Sequence, residues 1–322
     1  MTVRPAWQAD VLGNHFESAT LELRPDPDGP VVATLVRFSP PPRMHVGRGV
    51  ARNTNVLYVH GWSDYFFQRH VAQFWHDNGA RFHALDLRRY GRSLRPGQTP
   101  GYVSDLAAYD EEIEAAIAVI GDEQPLILVG HSTGGLVLAL WVARNPGRVA
   151  ALVLNSPWLE FQGRQLVREA IAPALAWEAR YQPLFTLPAV DLGFYTRSVS
   201  SRFDGEWDYD FEWRPERGFP VHPGWLSAVL TGHARVAMGL HIDAPVLTLL
   251  STRSTLSPRW TADMLHTDTA LDVEVVAQRS LMLGRTVTVV RIENALHDVS
   301  LSKPDVRAEA GRQTVRWLRG YL

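Results

Sequence analysis

The 322 residues of this chain include no cysteine. Disulfides, thiolate zinc sites and cysteine nucleophiles are therefore excluded, and the absence fits a reducing compartment. The sequence also lacks a long basic run, and its formal net charge is -2 at pH 7. It thus gives no electrostatic reason to expect nucleic-acid binding, so no nucleic-acid partner is predicted.

Targeting and membrane-spanning patterns are also absent from the sequence. The first ten residues mix Arg4, Pro5, Trp7 and Asp10, which is not the basic-then-apolar pattern of a secretory signal. The best apolar stretch, residues 136–143, is too short to span a bilayer and is typical of a buried helix. We therefore expect a cytoplasmic protein with no membrane span.

What the chain does contain is an alternation of short β-branched runs with helical patterns. The strand-like runs are residues 56–59, 82–87, 126–129, 149–154, 246–250 and 287–292, and the helical segments lie near 65–78, 104–120, 133–144, 270–283 and 304–319. This order predicts an α/β fold with a mostly parallel central sheet and helices on both faces. Two earlier runs, residues 18–23 and 31–38, flank a turn-rich segment and predict an antiparallel hairpin.

The alternation lapses after residue 156 and resumes near residue 240, which predicts an inserted cap rich in proline and aromatic side chains. The predicted division is a first core part at 1–156, a cap at 157–240 and a second core part at 241–322. Inside the cap, acidic and aromatic residues alternate along 206–213. That period of two predicts an extended segment whose inward-facing side chains are Trp207, Tyr209, Phe211 and Trp213.

A Gly-x-Ser-x-Gly pattern lies between a predicted strand and a predicted helix, at residues 130–134. A sharp turn there forces Ser132 into strained backbone geometry, and Gly130 and Gly134 remove side chains that would clash across the turn. Ser132 is therefore the predicted nucleophile. The backbone N–H of Thr133, at the positive end of the helix, is a predicted donor to the oxyanion formed during attack.

A serine nucleophile needs a base and an orienting acid. His297 follows the last predicted strand, at the carboxyl edge of the sheet where Ser132 also lies, and is the predicted base. The acid should follow the predicted strand at 246–250 and precede the histidine in the chain, and the candidates there are Asp263, Asp268 and Asp272. We choose Asp268, with Asp272 as the alternative. An aspartate at a helix start is often only a cap, and we expect one of these two to be one.

The loop after residues 56–59 begins with His60, Gly61 and Trp62. Because Gly61 lets the backbone approach closely, we expect the N–H of Trp62 to be the second oxyanion donor and its indole to line an acyl pocket. His60 and His131 are expected to support the turns rather than transfer protons. Together with Gly61 and Trp158 they are the candidate substrate-pocket residues.

These motifs resemble the monoacylglycerol lipase, lysophospholipase and serine aminopeptidase branch of the α/β-hydrolases. The resemblance covers most of the chain outside the cap and rests on residues 60–61, 86–93, 130–134, 268–272 and 296–298. It implies that residues 86–93 form a turn supporting the site and that Asp268, the first acid of an Asp-x-x-x-Asp pair, is the triad acid. One departure is that residues 252–267 separate this acid from its strand, whereas the family usually places it directly after the strand.

The resemblance implies an acyl-enzyme on Ser132, with His297 as base and then as activator of water, and no metal or cofactor. The expected substrate is a monoacylglycerol, lysophospholipid or similar small ester, and the cap aromatics would suit an acyl chain. One alternative is a serine aminopeptidase of the proline iminopeptidase kind, with a substrate ammonium bound by cap acids, Glu206, Asp208, Asp210 or Glu212. Another is a catalytically silent ligand-binding homologue.

Overall fold

The computed structural model describes residues 5–26, 29–41, 49–161, 175, 177–188 and 191–322. Within these residues nine strands form one sheet in the order β1-β2-β3-β5-β4-β6-β7-β8-β9. The strands are β1 (Gln8–Ala9), β2 (Phe16–Glu22), β3 (Val32–Phe38), β4 (Asn55–Val59), β5 (Arg81–Asp86), β6 (Leu126–His131), β7 (Ala151–Asn155), β8 (Val246–Ser251) and β9 (Val287–Ile292). Every strand that the sequence predicted is present close to its predicted bounds.

The sheet is antiparallel at one edge and parallel elsewhere. β2 pairs antiparallel with β3, which confirms the predicted hairpin, and β3 continues antiparallel to β5. From β5 through β4, β6, β7 and β8 to β9 all neighbours are parallel. The predicted mostly parallel sheet is therefore confirmed, and the carboxyl ends of β4, β6, β7, β8 and β9 meet at one edge.

Helices pack on both faces of the sheet. They are α1 (Arg69–Asp77), α2 (Asp110–Ile120), α3 (Thr133–Arg144), α4 (Phe194–Val199), α5 (Pro223–Ala237), α6 (Val273–Ser280) and α7 (Pro304–Leu318). Alternate residues of a strand enter different cores, as the strand pleat requires. Leu57 of β4 packs in the core that includes α2 and α3, and Tyr58 packs in the core that includes α1 and α7. The helices predicted near these positions are confirmed.

Four 3-10 helices lie in the connections among the described residues. They are Gly91–Ser93, Leu106–Tyr109, Ala262–Leu265 and Val299–Leu301. The second of them leads directly into α2, so the helix predicted near 104–120 begins with a tighter turn. None of the helices in the described ranges has both the length and the apolar character needed to cross a bilayer.

The chain between β7 and β8 contains no strand of the sheet in its described part, and it carries α4 and α5. Residues 162–174, 176 and 189–190 of the predicted cap lie outside the described residues. Residues 206–213 form no strand beyond one bridge between Trp207 and Ser200. Their burial nevertheless alternates as predicted: the four aromatic side chains are buried or half-buried and the four acids are exposed. The domain boundaries themselves stay a prediction.

Replacement of Trp141 by alanine tests how far the fold depends on α3. Trp141 has no exposed surface and is, with Trp225, one of the two tryptophans among the largest fully buried side chains in the described part of the chain. Its removal leaves a cavity, so we expect Trp141→Ala to reduce the free energy of unfolding by about 3–5 kcal/mol. Trp177→Ala is the matched control because Trp177 is 57% exposed, and its effect should stay within about 0.5 kcal/mol. Urea unfolding followed by circular dichroism measures both, and equal shifts would contradict the prediction.

Candidate active site

Ser132 lies at the turn between β6 and α3, at the carboxyl edge of the sheet. Its backbone has φ 49° and ψ -117°, a combination that residues other than glycine rarely adopt. Such strain persists only where the surrounding structure fixes it, and it is concentrated at functional sites. The helix begins at Thr133, so the turn holds the serine hydroxyl above the positive end of α3.

Close backbone contacts explain the glycines that flank Ser132. A Cβ atom at Gly134 would lie 2.2 Å from the carbonyl oxygen of His60, and one at Gly130 would lie 2.7 Å from the Cα of Gly135. No side chain fits at either position without moving backbone. The Gly-x-Ser-x-Gly pattern is thus required by the contact of the turn with the neighbouring loop and with its own helix.

The structure brings the predicted serine, histidine and first-choice aspartate together. His297 Nε2 lies 3.1 Å from Ser132 Oγ, and His297 Nδ1 lies 3.0 Å from Asp268 Oδ2. The other oxygen of Asp268 accepts hydrogen bonds from the backbone N–H groups of Ala270 and Leu271. A carboxylate held in this way orients the imidazole so that Nε2 can take the serine proton.

The other two candidate acids have different partners. Asp272 is the N-cap of α6 and accepts hydrogen bonds from the backbone N–H groups of Glu274 and Val275. Asp263 forms an exposed ion pair with Arg253. Neither of these contacts involves His297, so the geometry favours Asp268 over both.

The path of the loop after β8 explains how Asp268 reaches His297 despite the intervening residues 252–267. The N–H of Asp268 donates to the carbonyl of Arg253, and the N–H of Thr255 donates to the carbonyl of Asp268. The loop therefore leaves the strand and returns to pair beside residues 253–255, just beyond the end of β8. Asp268 lies close to the strand end in space although it is distant in sequence.

The loop after β4, residues 60–64, passes directly beside the nucleophile; we call it the β4 loop. A Cβ atom at Gly61 would lie 3.0 Å from the Cβ of Ser132. Within the described part of the chain, the N–H groups of Trp62 and Thr133 donate no hydrogen bond. Both predicted oxyanion donors are therefore free to bind a developing negative charge near Ser132.

His60 is fully buried beneath the β4 loop. Its Nε2 accepts a hydrogen bond from the N–H of Leu87, so its Nδ1 must carry the proton that is donated to the carbonyl of Gly61. Burial lowers the pKa of His60, which favours the neutral ring. Both ring nitrogens are used by the backbone, so His60 offers no free polar atom to a substrate.

His131 is buried behind the proposed base, with its ring centroid 5.0 Å from that of His297. Its Nδ1 lies 3.5 Å from Asp64 Oδ2. Burial alone would lower the pKa of His131, but the negative charges of Asp298 and Asp64 outweigh burial and raise it. His131 is thus part of a buried cluster with Asp64 and lies beside His297.

A family model described as serine aminopeptidase, S33, matches residues 51–269, more than half of the chain. The chain belongs to this family. Within the α/β-hydrolases it is a member of the branch that resembles the monoacylglycerol lipases.

Two curated relatives of this S33-family chain are a lipase and a phospholipase. The monoacylglycerol lipase of Mycolicibacterium smegmatis is 31% identical over 139 residues, which cover 42% of this chain and 49% of the relative. Phospholipase YtpA of Bacillus subtilis is 32% identical over 111 residues, which cover 33% of this chain and 41% of the relative. The chain therefore spans less than half the length of each of these relatives.

The fold extends further than the sequence similarity. The crystal structure of a soluble variant of monoglyceride lipase from Saccharomyces cerevisiae has a TM-score of 0.63 to this S33-family chain at 14% identity. The match covers 95% of this chain and 97% of that one. At this identity the likeness shows the α/β-hydrolase fold alone.

Three tryptophans pack together beside the turn that carries Ser132. The N–H of Trp158 donates to the carbonyl of Ser132 over 3.0 Å, and its ring lies 6.0 Å from that of Trp225 on α5. Trp225 in turn packs against Trp62 with ring centroids 3.6 Å apart. The predicted pocket residues Trp62 and Trp158 thus share an aromatic wall with a side chain that comes from between β7 and β8.

Not every predicted cap aromatic lies on this wall. Trp177 and Phe185 are 57% and 50% exposed, and Trp207 and Trp213 pack against the core that includes α1 and α7. The expectation that the cap aromatics as a group suit an acyl chain is therefore too broad, because most of them pack elsewhere or face solvent.

Sequence reasoning did not single out the carboxylate of Asp298, which fixes the loop that carries His297. Asp298 accepts hydrogen bonds from Asn155 Nδ2 at 2.6 Å, from Gln68 Nε2 at 3.2 Å and from Ser300. Burial raises the pKa of Asp298, but the charge of His131 and the hydrogen bonds from Ser300 and Asn155 outweigh burial and lower it. The residue is part of the 296–298 motif, whereas nothing in the sequence marks Gln68 or Asn155.

Among the described residues, no group of three or more histidine, aspartate or glutamate side chains is arranged to hold a metal ion. The acidic and histidine side chains near Ser132 are instead used in the hydrogen bonds and ion pairs given above. The arrangement is suited to nucleophilic attack by Ser132 with proton transfer through His297.

Substitution of Gly134 tests the contact between the turn and the β4 loop. An alanine Cβ would lie 2.2 Å from the His60 carbonyl oxygen and must displace backbone. We therefore expect Gly134→Ala to lower the free energy of unfolding by about 1–3 kcal/mol. Gly320→Ala is the control because its Cβ would meet nothing closer than 3.4 Å. Urea unfolding midpoints measure both variants, and an unchanged midpoint for Gly134→Ala would contradict the contact.

Proposed function

We propose that this chain is a serine hydrolase that cleaves a carboxylic ester through an acyl-enzyme on Ser132. The observation that carries the proposal is the continuous contact from Asp268 through His297 to Ser132, at 3.0 and 3.1 Å. A nucleophile, a base and an orienting acid within hydrogen-bond distance form the arrangement that acyl transfer requires. The family and the names of its relatives support the same class of reaction.

In the proposed reaction, Ser132 Oγ attacks the ester carbonyl carbon while His297 Nε2 takes its proton. The carbonyl oxygen becomes negative and accepts hydrogen bonds from the N–H groups of Trp62 and Thr133. The tetrahedral intermediate then collapses, and the leaving alcohol takes the proton from His297. A water that His297 deprotonates attacks the acyl-enzyme, and its collapse returns the proton to Ser132 and releases the carboxylic acid.

The proposed substrate is a monoacylglycerol, a lysophospholipid or a similar small ester. Support comes from the aromatic wall of Trp62, Trp158 and Trp225, which offers an apolar surface beside Ser132. The site is also enclosed, because Ser132 and His297 are 7% and 4% exposed. A desolvated site strengthens the electrostatic contacts of the reaction and favours an apolar acyl group.

The aminopeptidase alternative finds less support in the geometry. It needs a cap carboxylate for the substrate ammonium, but Glu206, Asp208, Asp210 and Glu212 are all exposed. Glu206 pairs with Lys303, and Asp210 accepts a hydrogen bond from the N–H of Glu212. We therefore favour the ester. Faster turnover of aminoacyl arylamides than of size-matched esters would reverse this preference.

Replacement of the proposed nucleophile tests the reaction class. We expect Ser132→Ala to lower the hydrolysis of p-nitrophenyl esters by about 10⁴-fold or more, because the covalent step is lost. It should also abolish labelling by a fluorophosphonate probe. Ser257→Ala, at a half-buried loop position whose hydroxyl hydrogen-bonds, among the described residues, only to the backbone of Arg259, is the control and should retain both. Full esterase activity in Ser132→Ala, or no labelling of the native protein, would refute the proposal.

Paired aspartate variants test the assignment of the acid. We expect Asp268→Asn to reduce kcat by about 10⁴-fold, because an amide favours the wrong imidazole tautomer. Asp272→Asn should retain activity and stability, since asparagine caps a helix about as well as aspartate. Steady-state kinetics on one ester compare the two variants. A larger loss in Asp272→Asn than in Asp268→Asn would show that the wrong carboxylate was chosen.

A further inference from the structure

Arg214 comes from the chain between β7 and β8 and is almost completely buried, with 3% of its surface exposed. Its Nε lies 3.3 Å from Asp64 Oδ1. A buried guanidinium requires a counter-charge, because an unpaired charge away from water is costly. Asp64, 2% exposed, supplies that charge, so the pair joins the predicted cap to the β4 loop.

Asp64 ends the β4 loop, two residues after Trp62. Ser63 between them has a φ of 51°, an uncommon conformation for a residue with a side chain. A loop strained in this way keeps its path only where neighbouring contacts fix it. The ion pair between Arg214 and Asp64 is such a contact. Both oxygens of Asp64 are buried and accept no hydrogen bond from the described residues that meets the distance and angle criteria, so the charged contacts with Arg214 and His131 are what fix this carboxylate.

The same carboxylate also faces the nucleophile turn. Asp64 Oδ2 lies 3.5 Å from the Nδ1 of His131, the residue that precedes Ser132. One carboxylate therefore lies between the loop that carries Trp62 and the turn that carries Ser132. A shift of Asp64 would change the position of the Trp62 N–H relative to Ser132.

Aromatic rings hold the guanidinium from its other sides. Arg214 Cζ lies 5.0 Å from the ring centroid of Tyr195 and 4.5 Å from that of Tyr209. Tyr195 also contacts His297 edge to face, with centroids 5.1 Å apart. A planar guanidinium stacks on such rings in a way that a lysine ammonium does not fully reproduce.

We propose that Arg214 is a positioning residue for the ester hydrolysis proposed above: by holding Asp64 it fixes the β4 loop so that the Trp62 N–H points at the oxyanion. The inference rests on the proposed function. Arg214 itself contacts no reacting atom. Because the oxyanion forms only during reaction, loss of its positioning lowers kcat and leaves KM nearly unchanged.

A purely structural ion pair makes a different prediction. In that case Arg214→Met is destabilised by the unpaired charge of Asp64, and the double variant Arg214→Met/Asp64→Asn, which removes both charges, regains stability and activity together. Under the positioning role the double variant regains stability alone, because the β4 loop still lacks its anchor.

The test measures ester hydrolysis, unfolding midpoints and inhibition by a trifluoromethyl ketone, which forms a tetrahedral oxyanion adduct. In Arg214→Met we expect kcat to fall about 10- to 100-fold, less than loss of a whole oxyanion donor, with KM within about twofold. Affinity for the ketone should fall by the same factor as kcat. Arg214→Lys should recover part of the lost kcat, and the double variant should keep the low kcat of Arg214→Met.

Arg279→Met, which removes the arginine paired with Glu160, is the control and should keep the native kcat.

Three results would overturn the inference. They are a native kcat in folded Arg214→Met, full recovery of kcat in the double variant, and a rise in KM with no change in ketone affinity. If the native protein hydrolyses esters but shows any of these, the positioning role alone fails. If the native protein hydrolyses no ester and resists the fluorophosphonate probe, the proposed function fails and this inference fails with it.

Discussion

The close contact between the turn at Ser132 and the β4 loop is the constraint on which the rest of the site depends. Gly134 lies so near the His60 carbonyl that only a hydrogen atom fits between them. In the same turn, Ser132 adopts a strained backbone conformation. Because β4 and β6 are adjacent parallel strands, the β4 loop and the turn at Ser132 both begin at the same edge of the sheet. The sheet therefore sets the distance between the proposed nucleophile and the proposed oxyanion donor on the β4 loop, the N–H of Trp62.

Buried carboxylates fix the other half of the site. Asp268 orients His297 from the loop after β8, and Asp298 attaches the His297 loop to Asn155 at the end of β7 and to Gln68 before α1. Each carboxylate has hydrogen-bond donors that offset its desolvation. The imidazole is thus located by contacts from three separate connections of the sheet.

The parts of this arrangement that follow a period or a motif could be predicted from the sequence, and the parts that depend on loop paths could not. Strands, helices and Ser132 follow from local patterns. The choice between Asp268 and Asp272 depended on how the loop returns beside Arg253, which no local pattern encodes. Residues 206–213 kept their alternating burial without forming a strand, since a period of two records side-chain direction and not pairing. Nothing in the sequence marked Arg214, because its burial arises from contacts with distant residues.

In the proposed reaction, the close contact between the rings of Trp62 and Trp225 would link substrate fit to turnover. The Trp62 indole belongs to the apolar wall, while the backbone amide of the same residue is a proposed oxyanion donor. An acyl group too bulky for the wall would push the indole aside and rotate that amide out of line. Such a molecule would occupy the enzyme yet react slowly, so poorly matched esters would behave as competitive inhibitors of well-matched ones.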